Sequence, residues 1–221
     1  MQNYNLSLSK GFKDGNVALT LNYMNQDGLC RNTDYERINS RLSSNFRFLN
    51  DKVRVGESIA VNYWTQHQTP EGIEELVIAQ HPAIPVYDEN GGYAGGYVDI
   101  LGDKANAVRL TDMEANNRHK NWRIFGNAYL EIEPIKALVL KSSFGLNYSN
   151  GFNSTFVPKW QEGSRKVETN ELTVREDNSL QWVWANTINY AKDFGKHSIN
   201  ALIGMEAKKK MANMYKDTVV D

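Results

Sequence analysis

The chain has 221 residues, a formal net charge of −1 and a mean hydropathy of −0.57. A near-neutral balance argues against nucleic acid as a partner. No apolar run approaches the roughly 20 residues of a membrane helix, but β-barrels stay open, since their strands hide apolar residues at every second position.

The start, Met-Gln-Asn-Tyr-Asn-Leu, has no basic n-region and no apolar h-region, so no signal peptide is expected. The chain is then either intracellular or part of something longer. Residues 3–9 alternate, with Tyr4, Leu6 and Leu8 on one face, and KGFKDGN at 10–16 reads as a turn. Residues 17–25 alternate again through Val17, Leu19, Leu21 and Tyr23. Asp27-Gly28 opens a short loop that holds Cys30, whose solitude rules out an internal disulfide. In 35–48, Ile38, Leu42, Phe46 and Phe48 face one way, and Arg37, Asn39, Arg41, Asn45 and Arg47 the other. The chain turns at 49–52 and returns over 53–64 with Val53, Val55, Ile59, Val61 and Tyr63 together.

Residues 65–120 break the pattern. A short helix is expected over 71–79 from the spacing of Ile73, Leu76 and Val77, stopped by Pro82 and Pro85, and DENGGYAGG at 88–96 is turn-rich. So long a connection is usually functional or disordered. Residues 121–148 then form a long hairpin. Trp122, Ile124, Gly126, Ala128, Leu130 and Ile132 share a face, the chain reverses at 134–137, and Leu138, Leu140, Phe144, Leu146 and Tyr148 share the returning one. Strands of about a dozen residues exceed the usual five or six and suit a tilted bilayer crossing. Residues 149–178 read as a second long connection. Residues 179–190 carry Leu180, Trp182, Trp184, Ile188 and Tyr190 on one face, 193–196 turn, 197–208 return, and the last residues resemble the start of another loop.

This is an all-β, antiparallel up-and-down meander of about eight long strands, the pattern of a partial transmembrane β-barrel. Short turns alternate with longer loops, notably near 65–120 and 149–178, as on the periplasmic and extracellular rims of an outer-membrane barrel. Tyr23, Tyr63, Trp122, Tyr148, Trp182 and Trp184 fall near the long-loop ends, and Phe46, Phe48 and Tyr190 near the short-turn ends, giving two expected interfacial girdles. Arg37, Arg41, Arg47, Arg54, Arg123, Glu131, Glu133 and Lys141 would line a polar lumen, or the wet face of a sandwich.

Little in the chain speaks for chemistry. The four histidines are scattered, and the Asp88–Gly92 stretch lacks the spaced carboxylates of a calcium loop, so no metal and no cofactor are expected. No nucleophile elbow, P-loop or dinucleotide fingerprint occurs, and the chain is not expected to be an enzyme. Tyr87, Asp88, Asn90, Tyr93, Tyr97 and Trp160 are loop residues of the types that stack on and hydrogen-bond sugars or peptides, and are the candidate ligand contacts.

The runs YMNQDGLCRNTDYERINSRLSSNFRF, PVYDENGGYAGG, GNAYLEIEPIKALVLKSSFGLNYSNGFN and WANTINYAKDFGKHSINALIGMEA resemble the SusC/RagA-like family of TonB-linked outer-membrane proteins. The resemblance implies a wide barrel around an N-terminal plug, energised import of glycan or peptide fragments through TonB, and a SusD-like lipoprotein lid. Such proteins are several times longer. The whole of 1–221 is therefore expected to be one section of the barrel, with plug and signal peptide outside it, embedded in outer-membrane lipid. A soluble carbohydrate-binding β-sandwich is the alternative.

Overall fold

In the computed structural model, residues 1–96 and 101–221 are described. Ten strands and two helices follow in order: β1 Gln2–Phe12, β2 Gly15–Asp27, β3 Asp34–Phe48, β4 Val53–His67, α1 Ile73–Ala79, α2 Ala107–Glu114, β5 Arg118–Ile135, β6 Leu138–Val157, β7 Trp160–Glu162, β8 Arg165–Val167, β9 Glu171–Phe194 and β10 His197–Val220. Eight of them form one antiparallel meander, β1-β2-β3-β4-β5-β6-β9-β10, and β7 and β8 pair as a small separate hairpin.

Three expected boundaries are corrected. The connection at 149–178 is mostly strand, since β6 runs on to Val157 and β9 begins at Glu171. The last residues are not a loop, because β10 continues to Val220 against β9. A second helix, α2, joins the expected one; Asn106 caps it by accepting from the backbone N–H groups of Val108 and Arg109.

The register fixes how the strands lean. The first short turn closes at Phe12–Gly15, and Gly15 pairs with Phe46; the second closes at Phe48–Val53, two residues lower. Through Val53–Ile132–Leu140 the third closes at Ile135–Leu138, two lower again. Through Leu138–Tyr190 the fourth closes at Phe194–His197, four lower. The turns therefore descend about eight residues over about six strand spacings, which at about 3.4 Å per residue and about 4.8 Å between strands is a tilt of about 43°. Transmembrane barrels tilt by about 35–45°.

Both faces of the sheet are now defined, because paired residues share a face. One face is apolar and uncovered. Leu42, Ile59, Phe144 and Trp184 are each more than 40% exposed, and the buried hydrophobics are Ala60, Ile73 and Ala94. A sandwich would need a second sheet over that face. Among the described residues the only other sheet is the three-residue pair β7–β8.

Candidate functional site

All nine expected girdle aromatics lie on the apolar face. Tyr23, Tyr63 and Trp122 share one rung through Ile38. Tyr148 sits two residues lower on β6, where Trp122 pairs with Asn150, and Trp182 and Trp184 lie lower still on β9. At the short-turn end Phe46 and Phe48 lie on β3, and Tyr190 lies below their level on β9. Both belts slope in the sense of the turns, so strand tilt brings each toward one level. From Tyr63 to Val53 is ten residues, about 34 Å along the strand and about 25 Å along the barrel axis. That matches the apolar band of an outer-membrane barrel. Tyr63 and Trp122 also pack ring to ring at 4.6 Å.

The opposite face is mainly polar, with Phe125 and Val183 among its apolar residues. At the short-turn end Arg54 donates to Glu131 at 2.5 Å and to Glu133 at 3.3 Å, and Lys141 approaches Glu131 at 3.8 Å. Tyr129 donates to Asn45 and lies over Gly56, where an added Cβ would meet its ring at 2.5 Å. Higher up, Arg41 and Arg123 flank the Phe125 ring at 5.6 and 5.3 Å.

At the long-loop end three connections form one cap. Its centre is Glu162 on β7, whose side chain is fully buried. It accepts from Arg109 Nε at 2.6 Å, from the backbone N–H of Asn106 at 2.9 Å, and from Arg165. Arg109 in turn lies 3.8 Å over the Trp160 ring. Asn106 donates to the carbonyls of Val86 and Ala94, and Arg165 to those of Asp103 and Lys104. A second tie joins the 28–33 loop, because Asn32 and Arg31 both reach Asp112.

These ties decide what the candidate ligand residues are free to do. Asp88 accepts from the backbone N–H groups of Asn90 and Gly92 and so shapes its own turn. Tyr93 donates to Asp112 at 3.0 Å; burial first, then this bond, push its phenol above the ordinary tyrosine range. Trp160 is held under Arg109. Tyr87 packs tilted against Tyr93, ring centres 5.8 Å apart, yet remains 48% exposed, and Asn90 is exposed. Tyr97 lies outside the described residues. Sequence reasoning missed Glu162, Arg109 and Asn106, since isolated charges in polar loops read as solvated.

No protein-family model matches the chain. Two proteins of Formosa agariphila, each called a TonB-dependent receptor, are 26% and 23% identical over 94% and 93% of this chain. The structure superposes on the RagAB peptide transporter with a TM-score of 0.78 at 19% identity, over 99% of this chain and 25% of that one. The chain is similar to a section of TonB-dependent receptors and has the fold of a section of an outer-membrane β-barrel. The fold also matches BauA, the ferric preacinetobactin receptor of Acinetobacter baumannii, with a TM-score of 0.59 at 9% identity, over 97% of this chain and 29% of that one. The barrel section spans about a fifth of the length of the curated relatives, 21% and 19%. Its apolar face is the lipid face, its polar face the lumen wall, and the cap is extracellular.

Proposed function

We propose that this section supplies barrel wall and ligand-capturing loops to a TonB-dependent transporter that imports oligosaccharide or peptide nutrients. The carrying observation is the division of labour across one sheet. A lipid face of membrane height backs a polar lumen wall, and the loops above are bonded into a single cap. In this reading the nine aromatics anchor the two membrane interfaces. The rest of the barrel closes the wall, a plug fills it and is pulled by the TonB complex, and a SusD-like lipoprotein covers the cap. The relatives are called receptors and a solved structure of matching fold is a peptide importer, which also favours transport over catalysis. Tyr87 and Asn90 are the cap residues open to ligand, with Tyr97 beside them in sequence; Asp88 shapes the exposed turn between them, and Tyr93 and Trp160 support the surface from beneath.

The test replaces residues 68–117 by a short Gly/Ser turn in the full-length transporter. A ligand is first chosen by screening the unaltered protein against oligosaccharide and peptide panels. Heat-modifiable electrophoretic migration should persist, because β4 and β5 pair directly along their length, while affinity for that ligand should fall at least tenfold. Unchanged affinity would remove the cap from the capture step.

A further inference from the structure

The charges on the lumen wall are not evenly paired. At the short-turn end Arg54, Lys141, Glu131 and Glu133 neutralise one another. On the upper half of the wall the inward residues of β3 and β5 include Arg37, one residue above the Ile38 rung, and Arg41 and Arg123 below it. Among the described residues none of these three is in an ion pair. The acids of β3, β4 and β5 do not reach them. Glu36 and Glu57 alternate onto the lipid face, where Ser44 bonds Glu57. Higher on the lumen wall Asp177 is held by Arg175.

The packing around these arginines is specific. Ala60 pairs across the sheet with both Arg41 and Phe125, and its small side chain is buried beneath them. The space it leaves lets both guanidiniums lie against the Phe125 ring. Arg123 donates to Asn147 at 3.1 Å, and Arg37 meets only the Met24 sulfur at 3.9 Å, its Nε buried without a partner. Two open depressions of about 450 and 330 Å³ meet at Phe125. Asn127, Gln181 and Ser58 line the first, and Asn22, Asn39 and Asn62 the second. Positive charge and amide donors thus face the lumen, and among the described residues no carboxylate pairs with these three arginines.

We propose that this shelf is an anion-selecting site of the lumen, which favours cargo bearing carboxylate or sulfate groups. Guanidiniums bind such groups in a bidentate fork, and rings of Arg or Lys select anions in pores. Contact with the Phe125 ring places both guanidiniums on the lumen wall. The inference rests on the transporter reading in one respect, that this face lines the path the cargo takes once the plug has moved.

The test reads the local field without needing the cargo. In a cysteine-free full-length transporter, Asn127→Cys places a thiol on the shelf. Its reaction rates with a sulfonate-bearing and a trimethylammonium-bearing methanethiosulfonate are compared at low ionic strength and normalised to free cysteine. The sulfonate should be favoured about tenfold, because a charged cleft concentrates counter-ions by at least that factor. Arg41→Gln with Arg123→Gln should bring the preference to within about twofold. Arg41→Lys with Arg123→Lys should keep it, which separates charge from damage to the wall. A preference unmoved by the glutamine pair would overturn the proposal. So would a thiol that neither reagent reaches, since another segment of the protein would then own the shelf. Loss of uptake on deleting the transporter is scored separately, so a failed shelf and a failed transport role give different results.

Discussion

Glu162 carries more of the cap than any other side chain. Its carboxylate is out of water and meets Arg109, Arg165 and a helix-capping backbone N–H at once. Removing one member of a buried ion pair leaves an uncompensated charge, which costs about 3–5 kcal/mol. Glu162→Ala should therefore strand Arg109 and loosen residues 81–96 and 101–105, whose carbonyls at Val86, Ala94, Asp103 and Lys104 are held from Asn106 and Arg165. Limited proteolysis of the full-length transporter should cut there at least tenfold faster, with the barrel still heat-modifiable; an unchanged cleavage rate would deny Glu162 this role. None of this was legible in the sequence. Glu162 and Arg109 lie 53 residues apart, in segments with no periodicity, and only the fold brings them together.

At the scale of the strand, alternation read the membrane correctly and read nothing above it. The pattern of Ile38, Leu42, Phe46 and Phe48 is clear because one face meets lipid and the other water. The upper halves of β6, β9 and β10 lost it. Ser149–Val157 and the residues past Lys209, which pairs with Trp182, rise above the aromatic belt, where both faces meet water and no apolar period is required. The same physics predicts a face-dependent response to charge. Leu42 pairs with Ile59 near mid-height on the lipid face. Leu42→Arg should cost about 2–4 kcal/mol, the penalty of an arginine at the bilayer midplane. Ala18→Arg, on the lumen face of β2 opposite Ser43, should cost within about 0.5 kcal/mol, as surface changes do. Urea unfolding of the full-length barrel in bilayers checks the pair, and equal costs would contradict the assigned faces. Glu57 already departs from the rule, and the hydroxyl of Ser44 is its answer on the lipid face.

For the molecule as a whole the decisive feature is a pair of open edges. β1 and β10 border the sheet with no further strand beyond them among the described residues. Within a bilayer each unpaired backbone group costs several kcal/mol, so a wall with edges cannot stand there. The two edges do not fit each other. β1 is 11 residues long and β10 is 24, so pairing them would leave about half of β10 unmatched. A tilt near 43° is compatible with barrels of many sizes, and closure therefore has to come from strands outside these residues, in keeping with a chain that spans about a fifth of its relatives. Refolded alone in detergent, residues 1–221 should give no heat-modifiable monomer, and crosslinking should report oligomers joined through the edges. The same residues within the full-length transporter should resist protease across β2–β6. A discrete, heat-modifiable monomer of the isolated chain would show instead that this wall closes on itself, with the top of β10 standing free above the membrane.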